Sequence, residues 1–208
     1  MPASSERDNA QHRDGELRVD DTGGGGGAGL LGLKVFVGGP IQHAVGTGGV
    51  LAPALHEVLL KVIAAIEEDG GEVLSAHVVE RFGEISHQFG PAEVTVRDHL
   101  WMTQCDAYLP ILPSAAPGEL MRTDGTHIEL GWASAMGKPI LVLTDIDEEP
   151  GGSHLLRGLP AIASAAFLDI DDVMRKPETV VEYLRAVRWA ASDPTGTGQG
   201  PLPERSSR

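Results

Sequence analysis

Residues 33–49 read "LKVFVGGPIQHAVGTGG": four apolar residues around Lys34, then a loop holding five glycines by Gly49. The apolar run is too short for a helix and rich in β-branched residues, so it predicts a buried strand closed by glycines. Beyond the loop, "APALHEVLLKVIAAIEEDGG" carries Leu55, Val58, Leu59, Val62, Ile63 and Ile66 at helical spacing and ends on glycine. A buried strand, a Gly-rich turn and an amphipathic helix are the opening of an alternating α/β unit.

The alternation continues along the chain. "GEVLSAH" reads as a second strand, and "PAEVTVRDHLWMTQC" as a helix opened by Pro91, a favoured first-turn residue. "DAYLPIL" reads as a third strand, with Pro110 weakening it or marking an irregular end. The stretch "TDGTHIELGWASAMGKPILVL" gives a helix and a strand, "AAFLDI" a fifth strand, and "PETVVEYLRAVRWAA" a closing helix. Near-continuous apolar strands separated by helices predict one α/β domain built on a doubly wound, Rossmann-like (flavodoxin-like) parallel sheet of five strands. Ligands of such sheets bind at the carboxyl ends of the strands. Three segments should meet there: "GGPIQHAVGTGG", "SAHVVERFGE" and "PSAAPGELMRTDGTHIE".

Residues 1–29 are polar and end in a glycine run, and 192–208 are rich in Gly, Pro and Ser; both are expected to be disordered arms around a domain at 30–191. The 208 residues suit one domain with a sizeable core. Sixteen basic against 30 acidic residues give a net charge of −14, which argues against nucleic acid and anionic membranes as partners. The single cysteine, Cys105, excludes an intrachain disulfide and fits a reducing cytoplasm; its setting predicts a buried small residue, not a nucleophile. No apolar run reaches the ~18 residues of a membrane span, and no basic-then-apolar leader opens the chain.

A glycine loop and three acid or histidine clusters are the candidates for chemistry. The loop after the first strand offers free backbone N–H groups to an anion or sugar, but it has neither the G-x-G-x-x-G nor the G-x-x-x-x-G-K-[ST] spacing, and a plain crossover loop explains the glycines as well. Glu129 completes Thr126-x-x-Glu129, the spacing of a capping box, which makes it a helix-end residue. Its place at the ligand edge of the sheet gives it the alternative of a nucleophile, ionised by the helix N-terminus. Asp98, in "VRDHLWMTQCD", is either part of an exposed charged stretch or the second member of a carboxylate pair with Glu129. A pair ~5 Å apart is the arrangement that breaks glycosidic bonds through a covalent intermediate. In "SAHVVERFGEISH", His77 is expected on a loop, touching ligand or a neighbouring subunit; the spacing of His and acids there matches no zinc pattern.

"KVFVGGPI", "LSAHVVERFGE", "RDHLWMTQCDAYLPILP" and "DGTHIELGWASAMGKPILVL" together resemble the nucleoside 2-deoxyribosyltransferase-like superfamily, over Leu33 to Leu143 and more loosely to the closing helix. Within it they look most similar to the nucleoside 5′-monophosphate N-glycosidases, including CMP and 5-hydroxymethyl-CMP hydrolases of nucleoside-antibiotic pathways. The resemblance implies Glu129 as nucleophile and Asp98 as the residue that orients it or assists departure of the base. It places sugar and phosphate against Gly38, Gly39, Pro40, Ile41, Gln42 and His43, the base against Phe36, and the phosphate against Thr123 and Gly125 in the turn that runs to Thr126. No metal or other cofactor is implied, and a homodimer or larger homo-oligomer is. Two residues depart from the hydrolases' pattern: Gln42 stands where they carry arginine, and Asp124 where they carry an uncharged residue. Both subtract positive charge, for which Arg81, Arg122 and His43 are the compensating candidates. The same residues suit a 2′-deoxyribosyltransferase, or a nucleotide-binding protein without catalysis.

Overall fold

The computed structural model describes residues 29–46, 51–116, 118–145 and 152–192. Apart from Gly29 and Ser192, the two arms expected at the ends lie outside the described residues.

β1 (Lys34–Gly38) runs into the glycine loop, and α1 (Pro53–Glu68) returns with Leu55, Val58, Leu59, Val62, Ile63 and Ile66 all buried. Full burial of each such side chain stabilises the fold by roughly 1.5–3 kcal/mol. β2 (Glu72–Leu74) is followed at once by one helical turn, α2 (Ala76–Val79), then α3 (Pro91–Gln104) and β3 (Ala107–Leu112). A hairpin, β4 (Ser114–Ala116) and β5 (Glu119–Leu120), leads to α4 (Asp124–Ala135) and β6 (Ile140–Thr144). The short α5 (His154–Arg157), β7 (Ala165–Asp169), α6 (Ile170–Arg175) and α7 (Glu178–Ser192) close the domain.

Five strands form one sheet in the order β2-β1-β3-β6-β7, every pair parallel. This is the flavodoxin-like order that the alternating pattern predicts. Strand order reverses between β1 and β3, so the crevice for a ligand opens where those two strands end. Alternation along the strands sends Val35, Val37, Leu109 and Ile111 to one face, under α1 and α7. Phe36, Tyr108 and Leu112 go to the other, under α3 and α4 with Met102 and Leu130.

Pro110 lies inside a fully buried central strand instead of ending it. Tyr108 N–H donates to Pro139 O of the connection into β6, so by alternation the nitrogen of Pro110 also faces β6. The β3–β6 register passes from Tyr108–Ile140 to Ile111–Leu143, and the interruption falls where the missing N–H would have paired. The hairpin β4–β5 was not expected: Ser114, Ala115 and Ala116 lack the β-branched side chains that announce a strand. The fifth strand stops one residue early because Asp169 caps α6, accepting from the N–H groups of Asp171 and Asp172. Tyr183 packs on its own sheet and donates to Ile140 O at 3.2 Å, which leaves it unavailable to a neighbour. Among the described residues no helix is long and apolar enough to cross a membrane.

Candidate active site

Glu129 lies in the second turn of α4, not the first. The helix opens at Asp124 after Thr123, so the Thr126-x-x-Glu129 spacing falls one turn too late to close a capping box. The carboxylate turns inward instead. Tyr108 Oη donates to Glu129 Oε2 at 2.5 Å, a bond across from β3 to α4. Gly38 makes room for it: a Cβ at residue 38 would lie 2.7 Å from Tyr108 Oη and 2.9 Å from Glu129 Oε2. The last residue of β1 therefore has to lack a side chain for this pair to exist.

Burial is the main influence on the acid. It pushes Glu129 up to about 7, with the Tyr108 bond opposing and the nearby charge of Asp98 adding to it. The helix N-terminus does not hold the group fully ionised as expected; loss of solvent outweighs it. Tyr108 itself is raised well above the ordinary phenol range by burial and by Glu129, so it stays a donor. Beneath the pair, the Phe36 ring packs against Tyr108 (5.2 Å between centroids) and Trp101 (5.8 Å). Phe36 is fully buried and reaches the site by supporting Tyr108.

Asp98 is buried on α3, which removes the exposed-stretch alternative; only His99 beside it is exposed. Its Oδ1 accepts from Arg97 Nε at 2.8 Å, and burial raises its pKa against that bond. Arg97 also donates through Nη2 to Glu80 Oε1 at 2.8 Å, and its guanidinium lies over the rings of Trp101 and Phe89. Each carboxyl group thus has one oxygen tied, Asp98 Oδ1 to Arg97 and Glu129 Oε2 to Tyr108.

The glycine loop divides its contacts between the two faces. Gly38 abuts Tyr108 and Glu129, whereas a Cβ at Gly39 would meet His77 Nε2 at 3.2 Å and Ile111 O at 3.3 Å. His77 is not on a loop: it sits fully buried on α2, on the far side of the glycine pair from Glu129. Burial pushes its imidazole down to about 4, so it is neutral. Neither ring nitrogen has a hydrogen-bond partner among the described residues, and Ser75 Oγ beside it has none either. Pro40 is buried, Ile41 half-buried, and Gln42 and His43 are exposed. Ile41 O accepts from Ala44 and Val45 N–H, folding the loop into a turn.

At the start of α4, Thr123 and Thr126 are buried and their hydroxyls bond to each other at 2.5 Å, so neither caps the helix. Gly125 is exposed, with open space where its Cβ would be. His127 Nδ1 lies 2.6 Å from Thr123 O. Arg122 pairs with Asp124 through Nη2 at 2.8 Å and Nε at 3.2 Å, and that partner holds the Asp124 carboxyl below its usual range, with His43 and His127 adding to the effect. Arg122 is therefore spent on Asp124, whereas His43 stands near it. Arg81 is exposed on the turn beyond α2.

Three residues of this arrangement escaped the sequence reading. Tyr108 hides in an apolar strand, where its only signal is that a buried phenol needs an acceptor. Arg97 and Glu80 hide because helix neighbours such as Arg97 and Asp98 are not expected to face each other. Cys105 is buried and pushed up to about 11, as its setting predicted.

Fold and site define an α/β domain on an all-parallel central sheet, whose switch point holds the half-buried Glu129 carboxyl group bonded to a buried phenol, with a second carboxylate nearby. No protein-family model and no curated protein matches the chain. Among solved structures, the solution structure of BlsM is similar: 28% identity, with 83% of this chain and 99% of that one covered and a TM-score of 0.59. The structure of the Clostridium botulinum CMP N-glycosidase BcmB shares 23% identity over 70% of this chain and 98% of that one, with a TM-score of 0.48.

Proposed function

We propose that this protein hydrolyses the N-glycosidic bond of a pyrimidine nucleoside 5′-monophosphate, CMP or 5-hydroxymethyl-CMP, to the free base and ribose 5-phosphate. The observation that carries the reading is Glu129: a half-buried glutamate whose carboxyl group is gripped by Tyr108 through one oxygen, beside Asp98 and the glycines that end β1. In its ionised form an oxygen of Glu129 attacks C1′ of the sugar. The C1′–N bond breaks and its electron pair leaves with the base, which takes up a proton. Positive charge gathers at C1′ on the way, so a carboxylate there stabilises the transition state more than the ground state. Water then attacks C1′, losing a proton to the carboxyl pair, and frees Glu129. Asp98 serves the proton transfers. Thr123, Gly125 and the glycine loop hold the phosphate through backbone N–H groups. The chemistry requires no metal or redox cofactor.

A second reading, a nucleoside 2′-deoxyribosyltransferase, has specific support in the phosphate region. Gln42 brings no charge, and Arg122 is already paired with Asp124. Such an enzyme uses the same glutamate and passes the sugar to another base. Incubation with CMP, 5-hydroxymethyl-CMP, cytidine and deoxycytidine, each with and without a second free base, separates the two. Base release in water from the monophosphates alone supports the proposal. Release that depends on a second base transfers the assignment, and no release from any of the four overturns both. We place the enzyme in the cytoplasm as a homodimer or larger homo-oligomer, a state sedimentation would read directly.

A further inference from the structure

Glu80, Arg97 and Asp98 form a chain of two buried carboxylates around one half-buried guanidinium. It is an unusual contact set. Arg97 and Asp98 are successive residues of α3, whose side chains leave the helix about 100° apart. Nε of Arg97 nevertheless reaches Asp98 at 2.8 Å because the rest of the guanidinium is held elsewhere. Nη2 is tied to Glu80, and the guanidinium carbon lies over the rings of Phe89 (5.5 Å) and Trp101 (4.9 Å). Nη1 is buried with no partner among the described residues.

The Glu80 end is built with equal insistence. Glu80 caps the C-terminal end of α2, and the backbone then takes φ of 49°, 53° and 96° through Arg81, Phe82 and Gly83. Left-handed conformations at Arg81 and Phe82 are disfavoured for side-chain-bearing residues. They turn the chain sharply, with Phe82 against His56, while Glu80 stays inside. Buried ion pairs add little net stability, because desolvation offsets their attraction. A strained turn that keeps a buried excess carboxylate next to a half-buried arginine is therefore not explained by stability.

We propose that Arg97 is a positioning residue for the Asp98–Glu129 pair, fixing the Asp98 carboxylate in place and biasing the pair toward its ionised form, with Glu80 holding Arg97 in register and moderating its charge. This rests on the reading of Glu129 and Asp98 given above. Asp98 is faced by Arg97 on its own helix and lies close enough to Glu129 on α4 and Tyr108 on β3 for its charge to act on both, while Glu80, after α2, reaches it through Arg97. Arg97 is the one cation among these four groups. Its removal makes protonation of the pair easier, and removal of Glu80 makes it harder, whichever carboxyl group takes the proton first.

The test is the pH dependence of kcat/KM in Arg97→Gln, Arg97→Lys and Glu80→Gln, with the carboxyl carbons of the full-length proteins titrated by NMR. Arg97→Gln is expected to move the acid limb up by about 1 pH unit, Glu80→Gln to move it down, and Arg97→Lys to leave it in place with a lower kcat, because an ammonium cannot span both acids. A purely structural role predicts that all three lose stability and activity with limbs unmoved, and that result overturns the proposal. So do limbs of Arg97→Gln and Glu80→Gln that shift in the same direction. Should Arg97→Gln fail to fold, Glu80→Gln still decides by the sign of its shift. Carboxyl titrations that move in opposite directions in a protein that releases no base would overturn the glycosidase reading and keep this one.

Discussion

Tyr108 on β3 and Glu129 on α4 share one proton bridge over the spot where Gly38 has no side chain. The bridge favours the ionised carboxylate, and burial opposes it. Tyr108→Phe removes the favourable half. The acid limb of kcat/KM should then move above pH 7 by roughly a unit, and kcat at neutral pH should fall by about 10-fold or more. A pH–rate profile identical to that of wild type would show that the phenol does not touch the working acid.

Gly38→Ala tests the spacing without changing charge. The new methyl group would sit within 3 Å of both oxygens, and neither belongs to the end of a flexible, exposed chain. Activity is expected to fall about 100-fold, because a displacement of 1 Å at the reacting group is enough for that. The φ of Gly38 is not positive, so the backbone tolerates alanine and the loss should appear in kcat before it appears in thermal stability. Full activity in this variant would place the chemistry elsewhere.

Cys105 is predicted to be a bystander. Its thiol donates to Met102 O at the end of α3, and burial takes it up to about 11. At pH 8 the folded protein should therefore alkylate at least ~100-fold more slowly than the unfolded chain. Cys105→Ala should retain base release. Rapid alkylation that stops turnover would reverse this assignment.

The fold could be read from the sequence because its signal is redundant: the central strands β3 and β6 are apolar nearly throughout, and the long helices α1, α3 and α7 each begin at or just after a proline. The site could be read only where residue type and sheet topology pointed to the same place. Gly38, Asp98 and Glu129 all stand at strand ends or on helices that flank the switch point, and the structure brings them together. The Thr126–Glu129 spacing misled as to helix position because the motif carries no information on where the helix begins; Thr123 and Asp124 set that. His77 was expected to be accessible because α2 is a single turn, too short for periodicity to reveal which side is buried. Tyr108 and the Arg97 cluster depend on contacts between elements, which no local pattern encodes.

The same burial that prepares Glu129 for chemistry has a consequence for stability that His77 opposes. Glu129 titrates near 7 in the folded protein against about 4.5 when unfolded. Between those values the folded state binds more protons, so this group's stabilising contribution is complete below pH 4.5 and is lost as pH rises through 7, on the order of 3 kcal/mol in all. His77 titrates near 4 folded against 6.5 unfolded. There the unfolded state binds more protons, so its contribution is present above pH 6.5 and is lost as pH falls through 4, by a similar amount. The two slopes are opposed over pH 4.5–6.5. Glu129→Gln keeps an acceptor for Tyr108 but cannot titrate, and it should abolish base release while unfolding at a higher temperature than wild type at pH 8. The difference should vanish below pH 4.5. His77→Gln should show the complementary difference curve, gaining stability relative to wild type on acidification. Thermal melts of both variants from pH 4 to 8 supply the check, and a Glu129→Gln protein less stable than wild type at pH 8 would mean that the acid is not buried as a strained, working group.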